Sequence, residues 1–275
     1  ADRGGRVTDA SLLVRDAYVE ARAAAVDVRA GYGRLVWGRL DEVAPTDVIN
    51  PLDAARFLFD GRSEARLPVT FVRARVSASE RLRIEGVVVP QFRRGVFDRL
   101  EESSSPFNLV KDAVVPAGIA LAPGRLQIGP GNGWRDVAGG ARVETTLGRV
   151  DASASAYRGF DGLGPIGFQA TADPVSGGIV GQLVEVHPRF TMVGGDVETV
   201  AGPWALRGEV AGFVERSFLS TASLTPGFSP LLVPGRSFDA GAGFDRRLGE
   251  WRVFGSTVVH REWADDEPSL SRTDV

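Results

Sequence analysis

The chain has 275 residues, 43% of them hydrophobic and 24% charged, with a net charge of −3 and no cysteine. This composition excludes a disordered chain, a basic footprint for nucleic acid, a disulfide framework and any thiolate nucleophile or cysteine-bound metal. No run approaches the roughly 18 apolar residues of a membrane helix, and Ala1 opens on a polar stretch without a signal-peptide pattern.

Apolar and polar residues alternate with a period of two along most of the chain, the pattern of half-buried strands. From Leu12 to Arg22, one face carries Asp16, Tyr18, Glu20 and Arg22 and the other Leu13, Arg15, Ala17, Val19 and Ala21. Val26 to Trp37 sets Val26, Val28, Ala30, Tyr32 and Val36 against Asp27, Arg29, Gly31 and Gly33. After a long charged segment, Val69 to Val76 and Arg81 to Val89 read as a hairpin about a SASE turn. Pro90 to Gly133 reads as a second long connection, with its prolines, a serine run at Ser103 to Ser105 and a GPGNG cluster. Ala138 to Leu147 and Val150 to Phe160 form the next hairpin, and residues 161 to 182 a third long loop. Val184, Val186, Phe190 and Met192 then alternate with Glu185, His187, Arg189 and Thr191. A turn near GGDVETVAG leads to Trp204 to Val214. Residues 216 to 235 are a fourth loop, and a last hairpin runs from Phe238 through RRLGE to about His260.

The segment Gly33 to Pro68 does not fit the strand pattern. Asn50 suits a helix N-cap, Pro51 the first helical position and Asp53 the third, where a carboxylate meets free N–H groups; Ala54, Ala55, Phe57 and Leu58 continue a short helix. Charges of both signs surround it: Arg39, Asp41, Glu42, Asp47, Arg56, Asp60, Arg62, Glu64 and Arg66.

About ten strands of roughly nine to twelve residues, joined by alternating short and long connections, predict an antiparallel up-and-down transmembrane β-barrel. Residues 1–275 are expected to form one barrel domain with an inserted loop at 38–66. With short turns on the periplasmic side, Ala1 and the end beyond His260 fall at the outer rim, so the chain is expected to be an internal piece of a larger barrel. A soluble β-sandwich or adhesion module shares the alternation and stays open as an alternative.

Several stretches carry a resemblance to a known family: LVRDAYVEAR, VRAGYGRLVWGRLDEVAPTDVINPLD and GRSEARLPV, then YRGFDG, HPRFTMVGGDVETVAGPWALRGEVA and GFDRRLGEW. Together they resemble porin-like outer-membrane proteins of Gram-negative bacteria, in which an aromatic-Gly strand end precedes an Asn-Pro-Leu/Val-Asp loop and a Leu-Pro strand start. The resemblance implies a barrel in the bacterial outer membrane, in contact with lipid and lipopolysaccharide, and passage or export of a solute. It leaves the solute and any oligomer open.

On this reading the 38–66 loop drops inside and narrows the lumen, its Arg39, Asp41, Glu42, Asp47, Asp53, Arg56, Arg62, Glu64 and Arg66 meeting Arg73, Arg75, Arg81, Arg83 and Glu85 on the strands. Such charges either filter solutes or brace the loop against the wall. Transport needs no cofactor and no covalent chemistry. Glu185, His187 and Arg189 share one predicted strand face, yet no nucleophile is placed beside them; an outer-membrane hydrolase remains the enzymatic alternative. His187 and His260 form no metal motif. GPGNG reads as a loop turn, Tyr18, Tyr32, Trp204, Trp251 and Trp263 as candidate interfacial aromatics, and Phe92, Phe97 and Phe107 as contacts for apolar solutes or one another.

Overall fold

The structure, a computed structural model, describes residues 14–96, 119–131, 133–172, 177–219 and 232–264. Along the chain come β1 (Ala17–Ala23), β2 (Val26–Gly33), α1 (Ala54–Asp60), α2 (Arg62–Ala65), β3 (Val69–Ser77), β4 (Leu82–Val89) and β5 (Ile119–Ile128). A 3-10 turn at Trp134–Asp136 precedes β6 (Ala138–Leu147), β7 (Val150–Phe160), β8 (Ile166–Ala172), β9 (Ile179–Val186), β10 (Arg189–Ala201), β11 (Trp204–Leu219), β12 (Leu232–Leu248) and β13 (Trp251–Ala264).

Ten of these strands form one antiparallel sheet in the order β1-β2-β3-β4-β6-β7-β10-β11-β12-β13. Sequence neighbours are therefore spatial neighbours. Short links at residues 24–25, 78–81, 148–149, 202–203 and 249–250 close five hairpins at one end of the sheet; every longer connection leaves from the other end. The alternation of short and long connections is thus a property of the fold.

The long connections hold more structure than their composition suggests. β5 from the second and β8 and β9 from the third build a separate three-stranded sheet, β5-β9-β8, with β5 parallel to β9. β5 and β8 fall in stretches that turn signals mark as loops, and β9 begins in one and runs into the strand expected from Val184. The expected strand around Val184 to Met192 is accordingly two strands. β9 ends at Val186, Pro188 lacks a backbone donor and breaks the ladder, and β10 starts at Arg189. The turn expected near GGDVETVAG falls at its end: β10 runs on to Ala201, and Gly202 and Pro203 make the link. β2 stops at Gly33, short of the Trp37 limit that alternation predicts. Ser103 to Ser105, Phe97, Phe107 and the Leu12 and Leu13 positions lie outside the described residues.

The large sheet has two unlike faces. One is covered by the segment between β2 and β3, and its buried residues include Phe71, Val87, Tyr157, Phe190, Met192 and Phe213 but also the ionisable Arg73, Glu85, Arg142, Asp196 and Glu209. Leu35, Trp37 and Ile49 of that segment join Phe71, Val87, Met192 and the others in one apolar core. The opposite, bare face exposes Val19, Val28, Val72, Ile84, Val143, Val197, Val210, Phe238 and Val259. Along β11 it carries no charge from Leu206 to Val214, about 26 Å of strand. Its charged positions among the described residues, Arg158, Arg189, Glu215, Arg236, Arg246 and Arg261, lie toward the strand ends. Trp204 and Trp251 flank the short links, and Trp263 sits at the far end of β13. Tyr18 departs from the expected aromatic fringe: it pairs with Gly31 on the covered side, where the Arg29 guanidinium lies 4.2 Å from its ring centre.

Adjacent residues of β3 test which face is the core. Phe71→Ala removes a side chain that is 2% exposed and is expected to lower unfolding free energy by about 3–5 kcal/mol. Val72→Ala, on the bare face, is expected to change it by roughly 0.5 kcal/mol or less. Urea midpoints of the two variants give the comparison, and the reverse order would contradict the assignment.

Candidate functional site

The segment between β2 and β3 departs from the sheet because side chains capture its first backbone groups. Asp16 Oδ1 accepts the Arg34 N–H at 3.3 Å. Buried Asn50 accepts the Leu35 N–H at 2.8 Å and donates to the Leu67 carbonyl, also at 2.8 Å. One carboxamide therefore joins the entry and exit of the segment. Asn50 is consequently not the helix cap that the sequence suggests; Asp53 takes that place, accepting the Arg56 N–H at 3.2 Å, and α1 begins at Ala54.

Glu209 on β11 then fixes the middle of the segment. Its Oε2 accepts the N–H groups of Arg39 (3.0 Å) and Leu40 (3.2 Å), and its Oε1 the N–H (2.7 Å) and hydroxyl (2.8 Å) of Thr46. A carboxylate 2% exposed thus receives four hydrogen bonds from a segment more than 160 residues away. Gly38 makes the approach feasible: its φ is +90°, and a Cβ there would lie 2.6 Å from Glu209 Oε1. Only glycine meets both conditions.

Ion pairs extend this anchorage. Arg39 donates to Asp196 Oδ1 at 2.5 Å and to Glu198 Oε2 at 2.8 Å on β10. Asp196 also accepts from Arg142 (2.9 Å) and Ser153 (2.5 Å), and Glu198 from Arg207 (3.1 Å), which reaches Asp41 at 3.4 Å. Apolar contacts follow the same lines. Trp37 and Thr46 lie over Gly140 and Gly194, and a Cβ on Gly241 would lie 2.5 Å from Leu40. Glycines on the covered face leave the space these side chains fill.

The other predicted charges divide by location. Asp47 binds Arg62 (3.0 Å) and Arg66 (2.7 Å) within the segment. Glu42 accepts the Arg62 N–H at 3.2 Å, and Glu64 pairs with Arg15. Arg56 contributes its backbone N–H to Asp53. Arg73 pairs with Asp27 at 2.7 Å and Arg75 with Glu85 at 2.6 Å, both within the sheet. Arg81 and Arg83 line an open polar recess with Arg39 at the short-link end. The expected pairing of segment charges with Arg73, Arg75, Arg81 and Arg83 is therefore not the arrangement found; among the described charged residues of β3 and β4, Glu85 engages the segment, accepting the Trp37 indole N–H at 2.7 Å. The partners are Asp196, Glu198, Arg207 and Glu209, which the sequence marks only as polar positions of alternating strands.

Beside this anchorage lies a cavity of about 260 Å³. Phe92, Tyr157, Phe160, Phe190 and Phe213 line its sheet side, Val48, Ile49 and Pro51 its segment side, and Asp161, Arg216 and Asp239 its polar end. Phe92 lies edge-on to Phe160, with ring centres 5.7 Å apart, and 5.0 Å from the His187 ring. Glu185, His187 and Arg189 do not share a strand face, because Pro188 separates two sheets. His187 Nδ1 lies 2.8 Å from the Asp161 carbonyl and Nε2 3.7 Å from Glu185 Oε1, whereas Arg189 turns outward to the Arg135 carbonyl. Burial pushes the Asp161 carboxyl above its ordinary range, against the pull of Arg216 at 3.7 Å.

A family model described as "Protein of unknown function (DUF1302)" matches residues 2–222, which takes in the segment and every partner just named for its charges. No curated protein and no solved structure matches the chain.

Trypsin tests the Glu209 anchorage. Glu209→Ala leaves the N–H groups of Arg39, Leu40 and Thr46 buried without an acceptor, each at about 1–3 kcal/mol. Cleavage after Arg39 is expected to be at least tenfold faster than in the unsubstituted protein, as measured by mass spectrometry of timed digests. Unchanged protection would show that Glu209 does not hold the segment.

Proposed function

The chain belongs to the DUF1302 family of proteins of unknown function, and from that premise and its geometry we propose that it is a transmembrane β-barrel conduit of the bacterial outer membrane. One observation carries the reading: the sheet buries its charges on the covered face and exposes an uncharged apolar band on the bare face. A water-soluble sheet does the reverse, because exposed apolar surface and buried charge are both unfavourable in water. Lipid reverses the preference, and the band along β11 is close to the ~25 Å apolar height of outer-membrane barrels. The meander of hairpins with every long connection at one end, and tryptophans near the strand ends, fit the same setting. On this reading lipid and lipopolysaccharide contact the bare face.

The segment between β2 and β3 then lies within the lumen and narrows it. Arg39, Asp41, Asp47, Arg62, Arg66, Arg73 and Arg75 are all engaged in ion pairs, so the segment braces and constricts more than it presents a ring of free charge. Passage of small or hydrophobic solutes through such a conduit is passive and needs no cofactor.

Three experiments test the proposal. Purified protein is expected to partition into the Triton X-114 phase and to migrate differently on gels before and after boiling; recovery from the aqueous phase would overturn the membrane assignment. Val210→Arg, at the middle of the bare band of β11, is expected to lower folding stability in lipid vesicles by roughly 2–4 kcal/mol, whereas a neutral effect would place that position in water. In planar bilayers, Glu209→Ala is expected to give larger and less steady conductance steps than the unsubstituted protein. Identical steps would remove the constriction role.

A further inference from the structure

We propose that the 260 Å³ cavity between the segment and the sheet is a binding site for a neutral ring compound bearing one hydrogen-bond donor, such as a phenolic hydroxyl. The inference needs only the cavity and stands whether or not the bare face meets lipid.

Three properties select that ligand class. The walls are aromatic and aliphatic, so the bulk of a ligand must be apolar, and the volume suits one ring or two fused rings. Each arginine lining the cavity already donates to a protein acceptor. Arg62 holds Asp47 and its carbonyl, Arg93 holds the Pro68 carbonyl at 2.6 Å, and Arg216 holds Ser237 (3.3 Å) and Asp161. The unsatisfied group is an acceptor. Asp47 lines the cavity with its side chain 1% exposed; Oδ2 serves Arg62 and Arg66, but Oδ1 is buried without a hydrogen-bond partner. A buried carboxylate oxygen left unpaired is unfavourable, and a donor placed there by a ligand relieves it. The two carboxylates at the polar end are engaged, Asp239 by His260 and Asp161 by the Leu163 N–H and Arg216. A ligand without a donor leaves Asp47 Oδ1 unpaired.

Isothermal titration of the solubilised full chain with 1-naphthol, 1-methoxynaphthalene and 1-naphthoate tests the site. One equivalent of 1-naphthol is expected to bind saturably, with the methoxy compound and the naphthoate each at least tenfold weaker. Ala138→Phe, which fills the cavity from β6, is expected to abolish the binding while leaving trypsin protection of Arg39 intact. If that variant loses protection, Val48→Phe fills the same space from the segment side. Absence of saturable binding to the unsubstituted chain, or equal binding to a filled variant that keeps its protection, would overturn the site. Equal affinity for 1-methoxynaphthalene would overturn the role of Asp47.

Discussion

The structure depends on a carboxylate that binds backbone. Glu209 holds the N–H groups of Arg39, Leu40 and Thr46 and the Thr46 hydroxyl, without a guanidinium among its hydrogen-bond partners in the described residues. Backbone donors are fixed in direction, so a carboxylate that collects three of them specifies the path of the chain more tightly than a flexible ion pair does. Gly38 belongs to the same device, since any side chain there would displace the carboxylate. Once the middle of the segment is held, Arg39 falls beside Asp196 and Trp37 beside Glu85, and the remaining contacts follow from proximity.

The two faces of the sheet show the same constraint on a larger scale. Charge is affordable on the covered face because it is paired: Arg142 with Asp196, Arg73 with Asp27, Arg75 with Glu85. Buried pairs of this kind contribute little net stability compared with apolar packing, but removing one partner is strongly unfavourable. These pairs settle the charges of the sheet itself, and Arg39, which reaches both Asp196 and Glu198, carries the pairing across to the segment. Apolar packing of Trp37, Phe71 and Met192 adds the favourable burial.

Much of the fold was legible in the sequence because strand alternation is a local signal. Ala138–Leu147 and Val150–Phe160 are found with the bounds expected of them, and the up-and-down order follows from alternating link lengths. The three-stranded sheet was not legible: β5 and β9 pair in parallel across more than fifty residues, β5 and β8 lie in stretches read as loops, and alternation from Val184 onward merges β9 with β10. Pro188 did carry the break between β9 and β10, since it lacks the donor a central strand needs. At the candidate site, the charged segment was recognisable but its partners were not. Alternation assigns Asp196 and Glu209 to a face, whereas which loop they meet depends on how far the sheet curls. The exchange of roles between Asn50 and Asp53 has the same origin, because Asn50 is drawn away from the helix by two backbone groups, those of Leu35 and Leu67.

The seat of Leu40 over Gly241 and Gly243 has a consequence for the order of assembly. Leu40 emerges during synthesis some two hundred residues before the strand that receives it, and Arg39 and Thr46 precede Glu209 by a similar span. Contacts of such separation form late, because a long loop must close before they reward the chain. The early hairpins β1-β2 and β3-β4 can pair locally while the segment between them waits. Docking of that segment therefore reports that the strands through β12 are already in register, and coupling an early part of the chain to a late one makes completion of the sheet a cooperative event.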